Sequence, residues 1–438
     1  MTTNFLSNVA APQIYAHTLR LLDLWKMKAM LAPGCPFDAS DDLVESSLDS
    51  IWAVTFGTDI GAIQSKIDSL RTAAPPVLPR TKADPAIFAS TKLPAAFHSI
   101  LYLCHGIGVA MQSIHPRLRH WVLRQTSLYK SAAAHKDLLI HDALVEAKIR
   151  SQANGMTTGG TTMLSAIDHL VRQQERVAGK EQRSTVYDSP TNRDELFGFI
   201  IAGHDTTSTT LMWCLKMLSD NPRTQEKLRK ELQAAFQEEV RVDAIPNFRQ
   251  VANSRIPFLD ATVQEIFRLS QTQPGAIREA KVDTVVLGHA IPSGTNVFLM
   301  SNGGGYVKPD CFSNQIDEKL RGKTSVDSKR KKGSWDNSNI EQFMPERWIR
   351  VQDGIEVFDA NAGPIQAFGG GVRECFGKRL AYLQMKMILT IIILKIDLSK
   401  TPTALSSYSA IDGLTHKPKQ CFICPKLIQA QSRSSLVV

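Results

Sequence analysis

The chain has 438 residues, with 51 Lys+Arg against 42 Asp+Glu and a formal net charge of +9. Hydrophobic residues make up 43% and charged residues 21%, which excludes a disordered or fibrous chain. The positive excess is modest and spread out, so no nucleic-acid partner is expected. Seven scattered cysteines argue against a disulfide framework and for a reducing compartment.

At roughly 150 residues per domain the length allows two or three domains, or one large α-rich core. MTTNFLSNVAAPQIYAH, at the start, reads as neither a signal peptide nor an anchor. The longest apolar run, Met387 to Leu394, falls short of the roughly 18 to 20 residues that span a bilayer.

In chain order, apolar spacing predicts a helix from Gln13 to Met30, stopped by Pro33-Gly34. A second follows over Asp38 to Phe56, opened by the capping cluster Asp38, Ser40, Asp41 and Asp42. Residues 93 to 175 read as largely helical with Pro116 as punctuation, and 177 to 190 as a polar loop. A long, nearly all-apolar helix is expected from about Asp194 to Ser219. GHDTTSTT, residues 203 to 210, lies in its middle and predicts a functional kink, because Gly, Asp and hydroxyl residues are poor helix formers.

Asn221-Pro222 opens another helix, and one more spans Pro257 to about Leu269. Alternation from Lys281 to Met300, broken at Gly288-His289 and Pro292 to Gly294, reads as short strands. Residues 302 to 340, with the run Lys329 to Lys332, read as a long exposed basic loop. A final helix follows Cys375, and short strands close the chain. The fold class expected is mostly α, with small β-sheets.

The chemistry concentrates in FGGGVRECFG, Phe368 to Gly377. Three consecutive glycines permit tight backbone conformations and close approach of something flat. They deliver Cys375 just before a helix N-terminus, where the dipole and Arg373 both favour a thiolate. No cysteine or histidine partner stands at zinc spacing, so a four-ligand metal site is not expected. A lone thiolate suits haem iron, whose in-plane ligands come from the porphyrin.

This segment resembles the haem-binding signature F-x-x-G-x-R-x-C-x-G of cytochrome P-450 monooxygenases, matching each fixed position. In the family's order, AGHDTT (Ala202 to Thr207) is similar to the oxygen-activation motif, and Glu265-Ile-Phe-Arg268 to E-x-x-R. FMPERW (Phe343 to Trp348) is similar to the segment containing P-E-R-F, with Trp348 in place of the usual Phe. The resemblance implies a P-450 fold with a long central helix, a single haem domain over 1–438, and 302–340 as an inserted basic loop. It also implies Cys375 as axial iron ligand, with Phe368, Gly371 and Gly377 in the loop and Arg278 and Arg373 as propionate partners.

It further implies Asp205 and Thr206 as proton carriers, and Glu265, Arg268 and Arg347 as an architectural triad. Back-bonding of Thr206 and Thr207 to helix carbonyls stands beside the catalytic role. Cys421-Phe-Ile-Cys424 and His204 read as structural. No W-x-x-x-R occurs, so the chain is expected to lack an N-terminal part of the family's pattern, membrane anchor included.

The implied activity is insertion of one oxygen atom of O2 into a hydrophobic small molecule, of the fungal secondary-metabolite, mycotoxin type. Electrons would come from NADPH through a separate P-450 reductase, with cytochrome b5 as a further donor, at the endoplasmic-reticulum membrane. Two alternatives stand beside it: a non-catalytic or vestigial haem-binding protein, and an O2-independent isomerase or dehydratase on the same fold. Lys378 and Arg379, beside the thiolate loop, sit where family members dock an acidic reductase.

Overall fold

The computed structural model describes residues 1–72, 74–81, 83–155, 165–311 and 315–428. The chain opens with the short helix α1 (Thr3–Phe5) and a π turn (Leu6–Ala10), which run directly into α2 (Ala11–Leu31). Strand β1 (Phe37–Asp38) precedes α3 (Ser40–Phe56) and α4 (Ala62–Thr72). Asp38 Oδ1 accepts the Ser40 N–H at 2.9 Å, but the N-cap position itself is Ala39 and carries no side-chain cap. The expected capping cluster therefore acts only through Asp38, from outside the helix. Asp49, deep in α3, caps α4 by accepting the Ala62 and Ile63 N–H groups at 3.0 and 2.9 Å.

Four helices fill the expected helical region: α5 (Ala95–Met111), α6 (Pro116–Gln125), α7 (Ser127–Gly155) and α8 (Ala166–Glu181). Residues 156–164 of that range lie outside the described residues. The long helix α9 spans Pro190–Asp220 as one uninterrupted α-helix, about 46 Å at 1.5 Å per residue. One expectation is corrected here. The helix begins at Pro190, because the Ser189 side chain caps the Asn192 N–H and Pro suits the first helical position. The GHDTTSTT stretch does not interrupt the helix; its hydroxyls donate back to carbonyls of the helix itself, contacts that bend a helix without breaking it. Thr206 Oγ1 reaches Ala202 O at 2.6 Å and Thr210 Oγ1 reaches Thr206 O at 2.8 Å.

Beyond it come α10 (Pro222–Ala235), the short α11 (Gln237–Arg241) and α12 (Phe248–Asn253), and α13 (Pro257–Ser270). The alternating region supplies three strands: β3 (Thr284–Val286) pairs with β4 (His289–Ile291), and β5 (Asn296–Met300) pairs with β2 (Gly275–Glu279), which lies ahead of the expected stretch. The expected long loop at 302–340 is only partly a loop. It carries a 3-10 turn (Glu318–Leu320) and α14 (Lys323–Lys332), and it buries Val307, Trp335 and Ile340. Its basic run forms the last turn of α14, where cations suit the helix dipole. Residues 312–314 of the segment lie outside the described residues.

A hairpin, β6 (Ile349–Gln352) with β7 (Ile355–Phe358), leads into the glycine-rich loop and α15 (Lys378–Lys395). The described residues close with β8 (Ile396–Ser399), β9 (Ala410–Asp412), β10 (His416–Pro418) and β11 (Phe422–Leu427). Strands β1, β11 and β8 form one antiparallel sheet, and β9 pairs with β10.

One hydrophobic core runs from Phe5 to Ile423. Helices α3 and α9 are its centre, each buried over most of its length. Their close approach depends on Gly203, where an added Cβ would lie 2.4 Å from Ile51 Cγ1. This places the middle of α9 firmly against α3.

Candidate active site

The structure brings the E-x-x-R pair together with the arginine of FMPERW. Glu265 and Arg268 lie one turn apart on α13, both fully buried. Arg268 donates from Nε to Glu265 Oε2 at 2.8 Å and from Nη2 to Oε1 at 2.7 Å. Arg347, in the 3-10 turn Pro345–Trp348, donates from Nε to Oε1 at 3.0 Å. Two more donors complete the carboxylate: the Met344 N–H at 3.1 Å and the Trp348 indole N–H at 2.8 Å. Sequence reasoning missed the last of these. The signal was the substitution itself, since Trp in place of Phe adds a ring N–H.

A buried carboxylate held this way is strongly destabilising to break, because removing a partner leaves charge uncompensated. The arginines' remaining N–H groups reach the carbonyls of Tyr306, Asn339 and Gln342. Both guanidiniums also lie over the Trp335 ring, at 5.7 and 5.1 Å from its centroid. Burial, followed by the neighbouring Arg268, pulls Arg347 below its ordinary range, against the pull of Glu265.

Trp335 links the triad to the cysteine loop. It packs edge-to-face on Trp348 at 4.8 Å and donates from Nε1 to Pro364 O at 2.8 Å. It also presses on Gly363, where an added Cβ would fall 2.3 Å from the ring. From the other side, Phe267 of α13 packs on Phe368 and on Tyr382 of α15, each at 4.8 Å. Tyr382 in turn donates its hydroxyl to Gln264 on α13. The loop's base is therefore fixed to α13 by aromatic packing.

Within the loop, the Cys375 N–H donates to Phe368 O at 2.9 Å and closes it. Gly369 and Gly371 take φ +67° and +65°, in the left-handed region that favours glycine, and Gly370 is extended. An added Cβ at Gly370 or Gly371 would meet nothing within 4 Å. Gly377 lies beside the thiol, its Cβ direction ending 3.7 Å from Cys375 Sγ, and is the N-cap of α15. The loop thus presents Cys375, Val372 and Phe376 exposed on one flat, glycine-lined turn.

This donor set fits haem. It offers one exposed thiol, successive glycines that a flat ring could approach, exposed apolar neighbours, and two arginines with no carboxylate partner among the described residues. Arg278, on β2, reaches only the adjoining Ile277 O, and no side-chain partner is described for the exposed Arg373. Among the described residues no group of three His, Cys, Asp or Glu side chains could hold a metal ion.

Asp205 and Thr206 are both partly buried on α9, but they do not bond to each other. Thr206 donates to Ala202 O, whereas Asp205 Oδ2 accepts the hydroxyl of Thr415 at 2.9 Å. Thr415 was not legible in the sequence, because it reaches the site from a hairpin far along the chain. His204 is packed and bonded through Nδ1 to Ile200 O at 3.1 Å, and burial lowers its pKa. Cys421 and Cys424 are buried, with burial pushing the Cys421 thiol up to about 12 and raising Cys424 as well. Lys378 pairs with Glu374 at 2.6 Å, and Arg379 donates to Met1 O and Thr3 Oγ1.

Comparison with known proteins completes the description of the site. The family described as Cytochrome P450 matches residues 12–314 and 330–424, an interval that skips part of the basic segment. Cytochrome P450 monooxygenase GME11363 of Pestalotiopsis microspora is 35% identical over 97% of this chain and 73% of that protein. Cytochrome P450 monooxygenase TRI13 of Fusarium sporotrichioides is 33% identical over 97% of this chain and 75% of its own length. The heme domain of cytochrome P450DA superposes with a TM-score of 0.64 at 18% identity, over 95% of this chain and 73% of that one. The structure of a cytochrome P450, CYP102L1, gives 0.62 at 17% identity, over 97% and 77%.

Proposed function

For a chain that belongs to the cytochrome P450 family and is a monooxygenase by that membership, we propose a single haem domain over residues 1–438. We propose that it oxidises a hydrophobic small molecule of fungal secondary metabolism. The reaction is RH + O2 + NADPH + H+ → ROH + H2O + NADP+, with electrons delivered by a separate NADPH–P450 reductase at the endoplasmic-reticulum membrane and cytochrome b5 as an auxiliary donor. The observation that carries this reading is Cys375, exposed at the end of a glycine turn whose base is fixed to α13. The substrate class rests on the fungal relatives. One of these, from Dothistroma septosporum, is 35% identical over 295 residues and is named for its Hps1-dma1 cluster.

Cys375 would hold haem iron, Arg278 and Arg373 its propionates, and Phe368 with Gly369 to Gly371 and Gly377 would border the ring. Haem, when bound, supplies the reduction of dioxygen. The chain's own part is to hold and move protons. Thr206 Oγ1 donates to Ala202 O and keeps lone pairs with which to accept a further hydrogen bond. Asp205 is a half-buried carboxyl on the neighbouring position, able to exchange a proton with water. The triad's part is to keep the thiol's position fixed.

The test is dioxygen consumption by the purified protein with NADPH and a P450 reductase. Consumption is expected, with Thr206→Ala moving it several-fold toward peroxide. No NADPH-dependent consumption would overturn the monooxygenase reading, and an unchanged peroxide share would remove Thr206 from the relay.

A further inference from the structure

We propose that Thr415 is a positioning residue that fixes the carboxyl of Asp205, an inference that rests on the reading of Asp205 as a proton carrier. The hydroxyl of Thr415 donates to Asp205 Oδ2 at 2.9 Å and lies 2.9 Å from Thr209 Oγ1. A hydroxyl has one proton, and that of Thr415 goes to Asp205 Oδ2. Thr209 must then donate to Thr415, and the chain of bonds has one direction: Thr209 to Thr415 to Asp205. Thr209 and Thr415 are both buried, so water does not compete for these hydroxyls.

The hairpin tip that carries Thr415 is held from several sides. Gln112, at the end of α5, donates to Asp412 O at 2.8 Å. The His416 N–H donates to Thr272 O at 3.0 Å, in the segment after α13. Trp213 of α9 donates to His416 O at 2.8 Å and stacks on the His416 ring. His416 also pairs with Asp412 at 2.7 Å across the turn. Thr415 is thus a fixed donor brought to the middle of α9 from outside the helix. Asp205 Oδ1 carries no hydrogen bond to a described residue, so the geometry immobilises one oxygen and leaves the other for exchange.

The experiment compares Thr415→Val, which keeps the shape and removes the hydroxyl, with Thr415→Ser, which keeps the hydroxyl. Asp205→Asn is the control for the underlying reading. With NADPH and a P450 reductase, and no organic substrate, two outcomes compete. They are O2 + NADPH + H+ → H2O2 + NADP+ and O2 + 2 NADPH + 2 H+ → 2 H2O + 2 NADP+. Thr415→Val is expected to raise the peroxide share several-fold, as Asp205→Asn does, and Thr415→Ser to restore the wild-type share.

A wild-type share in Thr415→Val beside a raised share in Asp205→Asn would overturn the positioning role alone. A wild-type share in Asp205→Asn would overturn the proton-carrier reading. A thermal-unfolding double-mutant cycle between Thr415→Val and Asp205→Ala reads the contact without turnover, since Asn at 205 would keep an oxygen that accepts the hydroxyl. A coupling factor of about 10 or more in the unfolding constant is expected. A factor near 1 would overturn the proposal whatever the turnover data say.

Discussion

At the scale of single residues, the carboxylate of Glu265 is the most densely satisfied polar group near the site, with donors from Arg268, Arg347, Met344 and Trp348. The indole N–H of Trp348 is a hydrogen bond to a buried charge, a class worth about 1.5–3 kcal/mol. Trp348→Phe keeps an aromatic ring but removes that donor. It is expected to lower stability by about 2 kcal/mol in chemical denaturation, and a loss below about 0.5 kcal/mol would contradict the role. The three charged members were legible from spacing and resemblance. The role of Trp348 was not, because a substitution in a motif reads as tolerance until its N–H is seen to have an acceptor. Thr415 carried no signal at all, since a threonine on a hairpin tip looks like any other.

Among the elements, helices with strong punctuation were legible: α3 and α13 start and stop within a few residues of expectation, and α10 starts where Asn221-Pro222 opens it. Helix α9 was legible in existence but not at its start, where Ser189-Pro190 outweighed the acidic residue chosen. The GHDTTSTT stretch is continuous helix because its hydroxyls bond back to helix carbonyls, and Gly203 packs closely on Ile51 of α3.

The packing of α2, α3 and α4 holds a charged network that the sequence did not reveal. Asp42 accepts from Lys28 at 2.6 Å and from Lys66 at 3.0 Å, while Glu45 pairs with Lys66 at 2.7 Å. Burial pushes Glu45 up from 4.5 to about 7, only partly opposed by Lys66. The folded state therefore holds the Glu45 proton more tightly than the unfolded state does. This contribution is complete below pH 4.5 and is lost as pH rises toward about 7. Its size is on the order of 3 kcal/mol. Glu45→Gln is expected to flatten that decline, seen as a difference in Tm against wild type that grows between these pH values. Parallel Tm curves would contradict it.

Across the whole molecule, one core joins the N-terminal helices to the closing strands, and the cysteine loop is held to it by α13. The fold class was legible because four ordered motifs fell on plausible elements. The basic segment was misread as wholly exposed, because its buried anchors, Val307, Trp335 and Ile340, are single apolar residues without periodicity. Among the described residues no helix is long and apolar enough to cross a membrane.

All of this geometry converges on one claim, that Cys375 ligates haem iron as a thiolate. The carbon monoxide difference spectrum of the reduced, haem-loaded protein tests it most directly. The account predicts a red-shifted, thiolate-type Soret band, lost in Cys375→Ala and kept in Cys421→Ala and Cys424→Ala. A wild-type spectrum without that band, or its survival in Cys375→Ala, would contradict the account.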